Sequence, residues 1–148
     1  MGREHTIDMT ILVTPDMSNF GGKMHGGELL KLLDKVAYTC AMRYCGKYVV
    51  TLSVDKVLFK EPVAIGELVS LKAAVNYTGR TSMEVGIRVV AENLETGAVR
   101  HTNSCYFTMV AVDKSGQPEP IEPFVPATED EKRRWAEAQR RREKAKSD

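Results

Sequence analysis

Four glycines fall within seven positions, Gly21, Gly22, Gly26 and Gly27, and the second pair opens a stretch, Glu28 to Cys45, that holds neither glycine nor proline. A helix starting there presents backbone N–H groups that lack intrahelical partners, at the positive end of the helix dipole. Gly26 and Gly27 let a carbonyl approach those donors with no side chain in the way, which is what an oxyanion site requires; the same pair also suits a plain tight turn. Asp34 is the one acid between Leu29 and Met42, flanked by Leu30, Leu33, Ala37 and Tyr38 at helical spacing. An unpaired carboxylate in such surroundings is costly. It either pairs with Lys31 or Lys35, takes a proton, stays in solvent, or faces a polar cavity as a general base or nucleophile. Asn19 could orient a water or an attacked carbonyl, and His25 could donate to a substrate oxygen; the ordinary alternatives are a turn-forming Asn and a His that fixes the loop.

Spacing adds a constraint. Gly27 and Asp34 share a helix face but stand about 10 Å apart along the axis, so one carbonyl cannot lie beside both within a single helix. Two antiparallel copies related by a twofold axis bring one junction beside the other's Asp34. A homodimer with a shared site is therefore the expected minimal unit.

The elements that must hold these residues follow from periodicity. Ile7–Thr14 alternates loosely and stops at Thr14-Pro15-Asp16, which predicts a first strand. The Glu28–Cys45 helix is apolar around most of its circumference and ends at Gly46, so it is expected to be buried. Tyr48–Phe59, Glu67–Tyr77, Ser82–Asn93 and Val99–Val112 read as four further strands, the last three joined by gaps short enough for antiparallel hairpins. The expected fold class is α+β: a curved antiparallel β-sheet around one long central helix, in a domain spanning residues 1–126. Asp113–Pro126, with four prolines, is an extended connector, and residues 127–148 form a charged C-terminal helix opened by a Thr128–Glu131 capping box. Its one large apolar residue is Trp135, so it is expected to be exposed or docked by that ring alone.

Composition removes several functions. The 148 residues are 43% hydrophobic and 28% charged, with a formal net charge of +1. That balance argues against nucleic acid as a partner, and the Arg140–Arg142 run, interspersed with acids, suits a solvated helix. No apolar run approaches the ~20 residues of a membrane span. The start lacks a signal-peptide stretch, and Gly2 alone does not argue for an acyl anchor. Cys40, Cys45 and Cys105 are odd in number and lack paired ligand spacing, and His5, His25 and His101 are scattered. We therefore expect reduced core thiols, a cytoplasmic protein and no metal.

Taken together, Asn19, His25-Gly26-Gly27 and Asp34 resemble the site of the hotdog-fold acyl-CoA thioesterases. So do Phe59-Lys60-Glu61-Pro62-Val63 with Gly66, Thr78-Gly79-Arg80-Thr81-Ser82-Met83, and the tract Tyr106–Asp113, in an order similar to the cytosolic acyl-CoA hydrolases, over roughly Ile7–Pro123. The His-Gly-Gly form is instead similar to the phenylacetyl- and hydroxybenzoyl-CoA thioesterases, so fatty and aryl acyl groups both stand as expectations. The resemblance implies Asp34 as general base or nucleophile and the Gly26 amide as the group polarising the thioester carbonyl. Asn19 and His25 assist from the Gly26 subunit, and Asp34 comes from the other. Gly27 and Tyr38 line the substrate path, and Arg80, Thr81 and Ser82 meet the CoA phosphates, as an arginine fork with hydroxyls can. No cofactor is implied beyond the coenzyme A of the substrate, and assembly beyond the dimer, to a hexamer (trimer of dimers) or a tetramer, is expected. A hotdog hydroxyacyl-thioester dehydratase and a non-catalytic acyl-CoA-binding regulatory module are the alternatives.

Overall fold

The central helix begins where a side chain can cap it. The computed structural model describes residues 3–58 and 61–147; Gly2, Phe59 and Lys60, named above, lie outside the described residues. Helix α1 runs Gly26–Cys45, and His25 holds the N-cap in extended backbone, its Nδ1 accepting from the Gly27 N–H at 3.0 Å. At the far end Gly46 takes the left-handed conformation, φ 70°, and donates to the Met42 carbonyl. Leu29, Leu33, Val36, Ala37, Cys40 and Ala41 are buried. The expectation of burial nearly all round is corrected: Leu30 and Met42 are 42% and 38% exposed, and Asp34 is exposed as well. In a single chain the sheet covers only one side of the helix.

Strands β1 (Thr6–Leu12), β2 (Val49–Asp55), β3 (Leu68–Thr78), β4 (Ser82–Glu92) and β5 (Val99–Ala111) form one antiparallel sheet in the order β1-β3-β4-β5-β2. The two short gaps are hairpins, as their lengths predict. The chain leaving α1 instead crosses to the far edge, where β2 pairs with β5. The first strand stops at Leu12, two residues short of the expected end, because Val13 and Thr14 lead into a 3-10 turn at Pro15–Met17. Every second residue faces α1: Val69, Leu71, Ala73 and Val75 on β3, Met83, Val85, Ile87 and Val89 on β4, Cys105, Phe107, Met109 and Ala111 on β5, all buried. Burying each of the larger ones contributes about 1.5–3 kcal/mol. Burial pushes the Cys40 and Cys105 thiols up to about 12, and raises Cys45 as well. Cys40 and Cys105 thus stay protonated and inert at neutral pH.

Helix α2 (Glu129–Ser147) has the expected capping box: the Glu131 N–H donates to Thr128 Oγ1 at 3.0 Å and the Thr128 N–H to Glu131 Oε1 at 3.1 Å. Its docking corrects the sequence reading, because Trp135 does not act alone. The indole packs against Tyr77 at a tilt, ring centres 4.8 Å apart, and Ala138 is buried. Arg141 forks onto both oxygens of Glu84 at 2.8 Å and lies 3.6 Å over the Tyr106 ring. Glu84 and Tyr106 alternate with inward residues, so α2 covers the outer face of the sheet, opposite α1. Asn76, also buried there, donates to Glu84 Oε2 at 2.9 Å, and Gly86 leaves room for its amide.

Candidate active site

The glycine loop is built as a ring of backbone bonds. His25 N–H donates to Met17 O, Met24 N–H to Val63 O, and Ile65 N–H to Gly22 O. Asn19 braces it from within: its Oδ1 accepts from the Gly21 N–H at 2.9 Å and the Lys23 N–H at 3.2 Å. The oxygen is committed to the loop, and Nδ2 is the atom left to donate outward. His25 is committed likewise. With Nδ1 accepting from Gly27, the neutral ring carries its proton on Nε2 and offers a donor there. The Gly27 N–H is thus occupied by the cap, whereas the Gly26 N–H, at the first position of α1, donates to no described residue. Of the two glycine amides, only that of Gly26 is left without a partner among the described residues.

Two turns along α1, the Asp34 carboxylate accepts from Thr51 Oγ1 at 2.8 Å. Among the described residues it has no lysine partner, so neither Lys31 nor Lys35 neutralises it. A cavity of about 420 Å³ runs along this face, lined by Gly27, Leu30, Lys31, Asp34, Val54 and Phe107. It touches both ends of the predicted constellation within one chain, with the carboxylate and the helix start still separated by the seven-residue rise. Thr51 was not singled out from the sequence. It sits on β2, in the strand's break of register between Thr51 and Ser53, paired with Met109. Nothing in the sequence marks it: a threonine is ordinary in a strand, and its approach to Asp34 comes from the packing of α1 over β2.

Other candidates are not gathered here. Tyr38 stacks edge-on against Tyr48 at 6.1 Å, beyond the Asp34 cavity, because another helical turn carries it toward the start of β2. The turn Gly79–Ser82, closed by the Gly79 N–H to Ser82 O at 2.8 Å, lies at the opposite end of the sheet from Gly26. Register fixes this: Ser82 pairs with Val110, and Val110 with Val50 near the start of β2, whereas Val54, near its end, lines the cavity. Ile121 N–H donates to Arg80 O and Tyr44 Oη to Glu122 O, so the turn neighbours the C-terminal end of α1. A larger hollow of about 710 Å³ at that end, lined by Lys47, Tyr48, Val50 and Val112 among others, contains none of the candidate catalytic residues. His5 and His101 are bonded elsewhere, to Glu131 at 2.9 Å and Ser104 at 2.8 Å.

The loop is anchored by a pair that sequence reading passed over. Glu67, 7% exposed, accepts from Arg100 through both oxygens at 2.6 and 3.0 Å and from the Ala64 N–H at 2.8 Å. Arg100 also donates to Pro62 O at 2.7 Å. The arginine's hydrogen bonds hold the Glu67 carboxyl below the usual glutamate range.

Residues 21–98 match the model of the thioesterase superfamily. Over 135 residues the chain is 55% identical to protein VdlD of Helicobacter pylori, covering 91% of this chain and 77% of that one. A solved apo-hexameric acyl-CoA thioesterase is 42% identical with a TM-score of 0.92, covering 96% of this chain and 91% of that one. An acyl-CoA hydrolase of Staphylococcus aureus, solved with butyryl coenzyme A and coenzyme A, is 30% identical with a TM-score of 0.88, covering 96% and 87%.

Proposed function

The chain belongs to the thioesterase superfamily, and from that premise we propose that it hydrolyses acyl-CoA thioesters, fatty or aryl, at a site built around Asp34. One observation carries the reading: an unneutralised carboxylate, held by the Thr51 hydroxyl, on the wall of a cavity that reaches a helix start with a free amide. The relatives add support. Solved alanine variants of the S. aureus hydrolase replace an asparagine, an aspartate fifteen positions later and a threonine seventeen after that; Asn19, Asp34 and Thr51 repeat those types and spacings.

In this mechanism Asp34 acts as general base toward water, or as nucleophile, at the thioester carbon. The Gly26 N–H takes the charge that develops on the carbonyl oxygen, and Asn19 Nδ2 and His25 Nε2 donate nearby. Collapse breaks the C–S bond, and the proton removed from water ends on the departing sulfur, giving a carboxylic acid and CoA thiol. A stabilising amide of this kind is worth roughly 10²–10³ in rate. Gly26, Asn19 and His25 act from one subunit and Asp34 from its partner. Gly27 and Tyr38 line the substrate path, and Arg80, Thr81 and Ser82 meet the CoA phosphates. The unit is a homodimer assembled further, as in the hexameric relative, and it works in the cytoplasm, where its free thiols stay reduced. Coenzyme A enters and leaves as part of substrate and product, and no other cofactor takes part.

The test is thiol release from a panel of acyl-CoAs. Asp34→Asn keeps the shape and removes basicity, so kcat should fall at least ~10²-fold with KM little changed. Near wild-type turnover in that variant would sink the assignment. Loss of conjugation from a crotonyl thioester without thiol release would identify a dehydratase, and tight binding without turnover a binding module.

A further inference from the structure

Helix α2 brings a second arginine to the Gly79–Ser82 turn. The Arg142 guanidinium lies against Gly79 so closely that a Cβ built on that glycine would overlap it, and it also sits 5.5 Å over the Tyr77 ring. Arg80, the next residue of the turn, is exposed. Among the described residues neither guanidinium has a carboxylate partner. Glu84 is taken by Arg141 and Asn76, and Glu122 and Glu143, which neighbour the turn and Arg142 along the chain, pair with neither. Two uncompensated cations carried by one turn and the helix docked on it make that corner electropositive, which favours a bound anion there. Arginine forks fit phosphate oxygens bidentately. Gly79, Tyr77 and the docked helix hold Arg142 in place beforehand, so little side-chain freedom remains to be lost on binding.

We propose that Arg142 of α2 completes, with Arg80, the seat for the phosphates of coenzyme A, so that the C-terminal helix is part of the substrate site. The inference rests on the acyl-CoA reading above. The placement suits it: from Asp34 to the end of α1 is about 17 Å along the axis, a span that an extended pantetheine arm covers.

Calorimetric titration with coenzyme A, 3′-dephospho-coenzyme A and pantetheine tests this without relying on turnover. Arg142→Gln should weaken coenzyme A about tenfold or more and leave pantetheine unchanged. Arg142→Lys should restore part of the loss, and Arg80→Ala should show the same selectivity. A loss confined to coenzyme A assigns the 3′-phosphate; one shared with the dephospho form assigns the pyrophosphate. Emission of Trp135, the single tryptophan, should not move in Arg142→Gln, since the indole packs against Tyr77 wherever α2 is docked. Unchanged coenzyme A affinity, or equal losses on coenzyme A and pantetheine, would overturn the proposal. Failure of the wild-type chain to release thiol from any ester would overturn the thioesterase reading instead, leaving these affinities to be judged separately.

Discussion

At the residue scale the site is a set of side chains with one atom committed and one atom free. Asn19 spends its oxygen on the loop and His25 its Nδ1 on the helix start, which leaves Nδ2 and Nε2 as donors. Among the described residues Asp34 is held by a single hydroxyl, that of Thr51. Thr51→Val removes that hydrogen bond at nearly constant volume. The carboxylate then loses its orientation and keeps its charge, so kcat should drop about tenfold, roughly the 1.5 kcal/mol of a hydrogen bond to a charged group, with KM little altered. Steady-state kinetics on one acyl-CoA decide it; an unchanged kcat would remove Thr51 from the machinery. Asn19 and Asp34 were legible as candidates because a lone acid in an apolar helix and an Asn beside a glycine cluster break their local patterns. Thr51 breaks none. Threonine is ordinary in a strand, and only the packing of α1 over β2 brings it to Asp34.

At the element scale, the loop that presents Gly26 depends on the segment before β3. Glu67 and Arg100 fix that segment, and backbone bonds from Val63 and Ile65 pass the restraint to the glycine loop. The Glu67 carboxyl is held below its ordinary value, so the pair's stabilisation is fully present above the unfolded glutamate range and is lost as pH falls through the lowered folded value. Glu67→Gln should lower stability by about 2 kcal/mol near neutral pH, a figure reduced because Arg100 is partly exposed. The deficit relative to wild type should shrink on acidification below pH ~4. Thermal melts of both proteins across that range check it, and a deficit independent of pH would contradict the assignment. The helix and strands were legible from periodicity and glycine punctuation. The pairing of β2 with β5 was not, since nothing in the strand's own residues says which edge it joins. The docking of α2 was hidden too, because arginines that stack on Tyr106 and Tyr77 look, in sequence, like any solvated charges.

At the scale of the whole molecule, the chain leaves one sheet edge unfinished. Along β1 the exposed residues are mostly polar, Thr6, Asp8 and Thr10, with Leu12 at the strand's end. Along β2, Val50, Leu52 and Val54 are exposed, next to the exposed Leu30 of α1. An apolar edge strand beside an uncovered helix face favours pairing with a second copy, and the proposed shared site requires a twofold there that sets each Asp34 toward the other copy's glycine junction. The central claim, thioester hydrolysis at a site shared between copies, is tested most directly by mixing two inactive variants, Asp34→Asn and Asn19→Ala, after dissociation and reassembly. In a random mixture half the dimers are heterodimers, each with one intact site and one doubly damaged site. With independent sites, thiol release should recover to roughly a quarter of wild type. Confirmed heterodimers that remain inactive, or a fully active monomer, would contradict the account.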